Sequence, residues 1–221
     1  MSELTDLFET LAKIPSPSMH EDAVAEKIVS LLNGYGVSAR RDAFGNVRAE
    51  IPATDETKEP LLLSAHMDVV GDFSPVNVIK DGDVLKTDGK RTLGADDKAG
   101  VACAMMLAKT VANDKTLKHG GLEIVFTRDE EQNMSGARAL DFGTFKSEYV
   151  LVLDGDRLGD FQIAGAGYTK MLLSVTNTKG GHSGIDIADS RRVNAVKAIA
   201  EIMTELTDLF ETLAKIPSPS M

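Results

Sequence analysis

Residues 60–68, Pro60-Leu61-Leu62-Leu63-Ser64-Ala65-His66-Met67-Asp68, decide how this chain is to be read. The apolar run from Leu61 is short and unbroken. It reads as a strand buried on both faces, of the kind found inside a parallel sheet. The run ends on His66 and Asp68, which are two residues apart and so share a face. That spacing lets Asp68 accept the Nδ1 proton of His66, or lie just behind it, holding the neutral tautomer that binds metal. Alone the pair is weak evidence, because a histidine at a strand end is more often structural.

Working outward, the neighbouring segments repeat the theme. Leu122 to Thr127 is a strand followed by Asp129-Glu130-Glu131, and Tyr149 to Leu153 is another buried strand, running into Asp154-Gly155-Asp156. Lys98 to Val111 has helical spacing and is entered through Gly94-Ala95-Asp96-Asp97. Upstream, Glu3 to Ile14 is a helix stopped by Pro15-Ser16-Pro17-Ser18, and Glu21 to Leu32 a second one that stops at Gly34-Tyr35-Gly36. Val37 to Ile51 gives two short strands about Phe44-Gly45-Asn46, Val78 to Leu85 a hairpin about Asp81-Gly82, and Ser135 to Leu140 a short helix. Strands alternating with helices predict an α/β fold, a three-layer sandwich on a mostly parallel mixed sheet. Ligands then gather at the carboxyl ends of the strands.

After Gly165-Ala166-Gly167 the pattern changes. Tyr168 to Thr176 reads as an amphipathic strand, a glycine-rich loop holds His182, and a long helix starts at about Asp189. The expected organisation is a catalytic portion over 1–165, the start of an α+β lid domain over 166–203, and a third segment, 204–221. Residues 205–221 repeat residues 3–19 without a change. Structural repeats drift in sequence and stack in several copies, so a lone identical pair at the two ends is no solenoid. Nothing breaks the helix between Arg191 and Ile216, and the second copy is expected to extend it.

Composition narrows the function classes. The formal net charge is −10 and the pI about 4.9, which gives no electrostatic support for binding nucleic acid or an anionic membrane. No apolar run is long enough to span a bilayer, and the start of the chain lacks the basic and apolar regions of an export signal. Cys103 is the single cysteine, expected on the packed face of a helix as a buried thiol. With no partner for a disulfide, the chain fits a reducing cytoplasm.

Clustered carboxylates repel unless protonated or bridged by a cation, and a mixed His/Asp/Glu set suits zinc, with cobalt or manganese as relatives. Asp96 and Asp97 stand at a helix start, where free N–H groups favour anions; capping could be the whole role of Asp97. Asp96 could bridge two metals. Glu130 and Glu131 allow a division of labour, one binding metal and the other serving as base. Asp154 ends an apolar strand, a poor place for an unpaired carboxylate.

Taken in order, Ser-Ala-His-Met-Asp (64–68), Thr-Leu-Gly-Ala-Asp-Asp-Lys-Ala-Gly-Val-Ala (92–102), Thr-Arg-Asp-Glu-Glu (127–131), Val-Leu-Asp-Gly-Asp (152–156) and Gly-Gly-His-Ser-Gly-Ile-Asp-Ile (180–187) resemble the co-catalytic zinc exopeptidases. That family holds peptidase T, the aminoacyl-histidine dipeptidases, glutamate carboxypeptidase and succinyl-diaminopimelate desuccinylase. The resemblance covers about residues 4–203. It implies a site for two Zn²⁺ ions: His66 and Asp154 on one, Glu131 on the other, and Asp96 between them. It further implies Glu130 as general base, Asp68 as the residue orienting His66, and His182 as a lid histidine that polarises the scissile carbonyl across a homodimer. The implied substrates are small peptides. N-acyl amino acids are the alternative, since the metal motifs do not separate the two. Members of this family are considerably longer, and their returning C-terminal part supplies the last histidine ligand of the second zinc. A chain without that part could also be catalytically inert. His20 and His119 match no ligand position and are expected at the surface.

Overall fold

The computed structural model describes residues 2–155, 157–165, 172–176, 179–182, 184–186, 188–189 and 191–214, with only the backbone of 209–210 and 212–214. It divides into two units, Met1–Phe161 and Gln162–Met221.

In the first unit, helix α1 (Glu3–Ala12) opens at Ser2, whose Oγ accepts the amide of Thr5, and buries Leu7, Phe8, Leu11 and Ala12. Helix α2 (Asp22–Gly34) buries Val24, Ala25, Ile28 and Leu32, the spacing of one helical face. Strands β1 (Ser38–Arg41) and β2 (Val47–Ile51) form the hairpin predicted around Phe44-Gly45-Asn46. Strand β3 (Leu61–His66) is followed by the separate hairpin β4 (Val78–Asp81) and β5 (Val84–Thr87), helix α3 (Ala95–Asn113), strand β6 (Leu122–Thr127), the short helix α4 (Ser135–Arg138) and strand β7 (Tyr149–Val152).

The main sheet has the order β1-β2-β6-β3-β7. β1 pairs antiparallel with β2 and β2 with β6, whereas β3 runs parallel to both β6 and β7. The parallel trio matters most for function. His66 ends β3 opposite Thr127, the last residue of β6, so both strands deliver their following residues to one edge. The amides of Met67 and Leu153 carry the pairing one step further, to Thr127 O and Ser64 O, both at 2.8 Å. Helices α1, α2 and α3 share a hydrophobic cluster with Val47, Ala49, Leu63, Ala65, Leu122, Ile124 and Phe126 of the sheet. Each large side chain buried there contributes about 1.5–3 kcal/mol.

Two local expectations fail in the first unit. The apolar run of β7 predicts a buried strand, but Tyr149, Val150 and Val152 are 65%, 50% and 61% exposed. Among the described residues it lies at the sheet edge beside β3, and an apolar run alone does not separate an edge from a centre. Cys103 is exposed rather than packed. Val101, Ala102, Ala104, Met105 and Ala108 take the buried face of α3, and the helical period turns Cys103, like Leu107, outward.

In the second unit, helix α5 (Ala195–Ala214) begins six residues later than the sequence suggests. Asn194 caps it, its Oδ1 accepting the amide of Lys197 at 3.0 Å. The helix runs without interruption through the start of the repeated segment to Ala214. Of the expected strand Tyr168–Thr176, residues 168–171 lie outside the described residues, and 172–176 form no strand. No ladder partner holds them extended among the described residues.

Candidate metal centre

Three chain segments meet at the carboxyl edge of the parallel trio. β3 supplies His66, the entry to α3 supplies Asp96, and the residues after β7 supply Asp154. Their ligand atoms all lie within 4.8 Å of one another, the one such group of three among the described residues. His66 Nε2 stands 2.9 Å from Asp96 Oδ1 and 3.9 Å from Asp154 Oδ2. Glu130 Oε2 is also 3.9 Å from that nitrogen. His66 is buried, whereas the carboxylate of Asp96 is 70% exposed and faces solvent from the rim.

The local backbone explains the convergence. Gly94 precedes α3 at φ +72°, and a Cβ there would meet Val69 Cγ1 at 2.9 Å, so only glycine makes this turn. Asp96 and Asp97 lie on non-helical backbone, and regular helix begins just after them. Asp97 is buried and turned inward: its Oδ2 accepts the amide of His66 at 3.2 Å, and its Oδ1 the amide of Gly100 at 3.1 Å. Position alone suggests a helix-capping role for Asp97. Its bond to the last residue of β3 goes further and ties the candidate ligand His66 to the helix, which spacing does not show.

Asp68 is wholly buried and fully engaged. Its carboxylate accepts Ser18 Oγ at 2.7 Å and the amides of Glu130 and Glu131 at 2.9 and 3.1 Å. His66 Nδ1 lies nearer to the Asp68 carbonyl, at 2.9 Å, than to its carboxylate, at 3.4 Å. So Asp68 sets the ring with its backbone and holds the Glu130-Glu131 turn with its side chain. Ser18 does not stand out in the sequence. The only hint is its place in the Pro-Ser-Pro-Ser segment that ends the first helix.

Behind the turn, Glu21 accepts the amides of Met19 and Asp129 at 2.8 and 3.0 Å and pairs with Arg128 at 2.8 Å. This buried acid anchors the backbone of the segment that carries Glu130.

The electrostatics call for a cation. Burial raises the Asp154 carboxyl, and neighbouring Asp96 and Glu130 add to it against the pull of His66, leaving it at about 6. Burial and Asp154 push Asp97 up to about 7, and burial with Asp96 pushes Glu131 up as well. Burial alone would lower His66, but Asp68, Asp97 and Asp96 outweigh it and raise the ring to about 10. Burial opposes ionisation of Asp68 too, yet His66, Ser18 and the two amides hold it at about 2. Carboxyls pushed upward by burial and by one another, beside a histidine pushed towards its protonated form, mark a cluster short of positive charge, and a divalent cation would supply it. One imidazole nitrogen with carboxylate oxygens is a donor set suited to zinc and tolerated by cobalt or manganese.

Residues 46–169, more than half of the chain, match the model of peptidase family M28. The chain belongs to this peptidase family. It is 32% identical over 214 residues to the cytosol non-specific dipeptidase of Escherichia coli K12, an alignment that takes in 83% of this chain and 43% of that protein. Among solved structures, aminopeptidase PepT from Bacillus cereus matches with a TM-score of 0.65 at 29% identity, over 70% of this chain and 43% of its own. The aminoacylhistidine dipeptidase of Vibrio alginolyticus matches with a TM-score of 0.60 at 33% identity, over 90% of this chain and 46% of its own. These likenesses agree with the expected α/β zinc-exopeptidase fold. The chain spans about half the length of such relatives.

Of the remaining sequence candidates, Glu131 stands at the turn held by Asp68, close enough to Asp96 and Glu130 for their charges to act on it. His182 is in the second unit, exposed, with its Nδ1 accepting the amides of Gly184 and Ile185 at 3.1 and 3.2 Å. His20 is exposed and packs edge-on to Phe73 at 5.2 Å. His119 is partly exposed and lies outside the candidate metal group, and its carbonyl accepts the amides of Thr54 and Asp55 at 3.0 Å. No helix among the described residues is long and apolar enough to cross a membrane.

Proposed function

We propose that this chain carries the metal-binding half of a zinc exopeptidase that hydrolyses small peptides. The observation that carries the reading is the convergence of His66, Asp96 and Asp154 within 4.8 Å, with Glu130 Oε2 beside them. His66 and Asp154 would hold one zinc and Glu131 a second, with Asp96 available to either; cobalt or manganese would suit the same donors. When bound, the cations supply a Lewis acid that polarises a peptide carbonyl and makes water acidic.

The chain's own residues do the rest. Glu130 takes a proton from the attacking water at its carboxylate, and water oxygen bonds to the peptide carbon. The same carboxylate returns the proton to the amine as the C–N bond breaks. Asp68 keeps Glu130 in place through its amide, and the His66 ring through its own carbonyl. His182 is assigned the task of stabilising the developing oxyanion across a lid-mediated homodimer. Neither nucleic acid nor membrane is assigned as a partner. The cytosolic location named for the Escherichia coli relative is proposed here too.

Calorimetric zinc titration of the chain, followed by assays on dipeptides, tripeptides and N-acyl amino acids, tests the reading. Zinc should bind, and Glu130→Gln should keep binding while losing peptide hydrolysis. Hydrolysis confined to N-acyl amino acids would replace the peptidase assignment by a deacylase. Failure of His66→Ala to weaken zinc binding would remove the centre itself.

A further inference from the structure

Residues 205–221 are identical to residues 3–19, and the first copy shows what such a segment binds. Leu7, Phe8, Leu11 and Ala12 are buried in the core, and Glu9 reaches Lys80 Nζ at 2.6 Å. The carbonyl of Ile14 accepts Lys98 Nζ at 2.5 Å, Ser16 Oγ donates to Met67 O at 2.8 Å, and Ser18 Oγ donates to Asp68 at 2.7 Å. The second copy carries the same groups in the same order: Leu209, Phe210, Glu211, Leu213, Ala214, Ile216, Ser218 and Ser220. The slot therefore has no chemical means of telling the copies apart. Tethering alone favours the first.

The amino end of the slot is also open. Ser2, Glu3 and Leu4 are exposed, Lys109 pairs with Glu3 from one side, and among the described residues nothing covers the amino end where a helix continuing upstream, as α5 does over 195–204, would leave the slot. Each chain thus has one slot and two segments that fill it, and a surplus segment always remains.

We propose that residues 205–221 of a second copy of this chain seat in the slot of residues 3–19, an exchange of identical segments that joins chains head to tail. The incoming segment remakes the same interactions that the released first copy gives up, so occupancy follows chain concentration and the firmness of the resident copy.

The test uses the full chain. A zero-length carbodiimide crosslink joins Lys80 to whichever glutamate fills the Glu9 position. Trypsin separates the two outcomes, because Glu9 lies in peptide 1–13 and Glu211 in peptide 198–215. Leu11→Asp places an unpaired carboxylate in the core and should eject the first copy, moving the Glu211-to-Glu9 crosslink ratio by roughly a hundredfold or more. In a mixture of ¹⁵N-labelled and unlabelled chains, the Lys80–Glu211 products should carry mixed labels. Leu213→Asp should leave the Glu9 crosslink unchanged, and the double variant should lose both. Absence of the Glu211 crosslink in Leu11→Asp, folded or unfolded, overturns the proposal. Products that carry only a single label overturn the assignment to a second copy.

Discussion

Ser18 and Asp68 are joined by a 2.7 Å hydrogen bond, the serine hydroxyl donating to a carboxylate with no exposed surface. The bond links the segment that follows α1 to the residue that holds both the His66 ring and the Glu130-Glu131 turn. Ser18→Ala removes one donor from a buried acid that keeps two backbone amides. We expect a loss of about 1–2 kcal/mol, read as a lower urea midpoint at unchanged slope.

Asp154→Asn should act in opposite directions with and without metal. Without metal it removes a carboxylate crowded by Asp96 and Glu130, so the melting temperature should hold or rise. With zinc it removes a proposed ligand, and the rise in melting temperature expected for the parent chain on adding zinc should shrink. A variant that melted lower in chelator and still responded fully to zinc would contradict the site.

At Gly100 a Cβ would lie 2.3 Å from Asp97 Oδ1 and 2.7 Å from the Leu153 carbonyl. Gly100→Ala must push Asp97 or the approach to Asp154 aside. The expected cost is about 1–3 kcal/mol by denaturant titration, accompanied by weaker zinc binding. An alanine variant with parental stability and affinity would show that the packing gives way more easily than this.

Acid should loosen α1 through Glu9. Hydrogen bonds from Lys13 and Lys80 hold its carboxyl down to about 2 from the ordinary 4.5. Because the folded value is depressed, the contribution is complete above pH 4.5 and is lost as pH falls towards 2. Lys80→Met should flatten the stability profile over that window, as followed by circular dichroism, while leaving the slope near neutral pH unchanged.

Among the described residues the outer edge of β7 has no pairing strand, and Tyr149, Val150 and Val152 beside it are exposed. Such edges promote association between copies. Val150→Lys should lower the mean mass seen by light scattering at high concentration, with little change in melting temperature.

The chain's strongest periodicities are legible in the sequence. β3 and β6 are mostly apolar, as interior strands are, and α1 and α2 show their buried faces at helical spacing. The three residues that converge at the centre are all readable as carboxylates or imidazole at element ends. What escapes are partnerships over long separations. Ser18 acts on a residue fifty positions away, and Asp97 acts on the amide of His66, thirty-one positions back. Nothing in local spacing encodes such pairs. Burial fails to follow from sequence at β7 and Cys103 because apolar character says that a side chain tolerates burial, not that a neighbour is there to cover it.

The grip of Asp68 on two consecutive amides also sets where this protein can change length. Glu130 and Glu131 are held as a unit, so an added residue between Asp129 and Glu131 would break one bond and rotate the proposed base out of line. Gln132 and Asn133, just beyond, are exposed and make no such bond to Asp68. Insertions should therefore accumulate after the acidic pair and never within it, which makes this turn a fixed point around which the surrounding loops are free to vary.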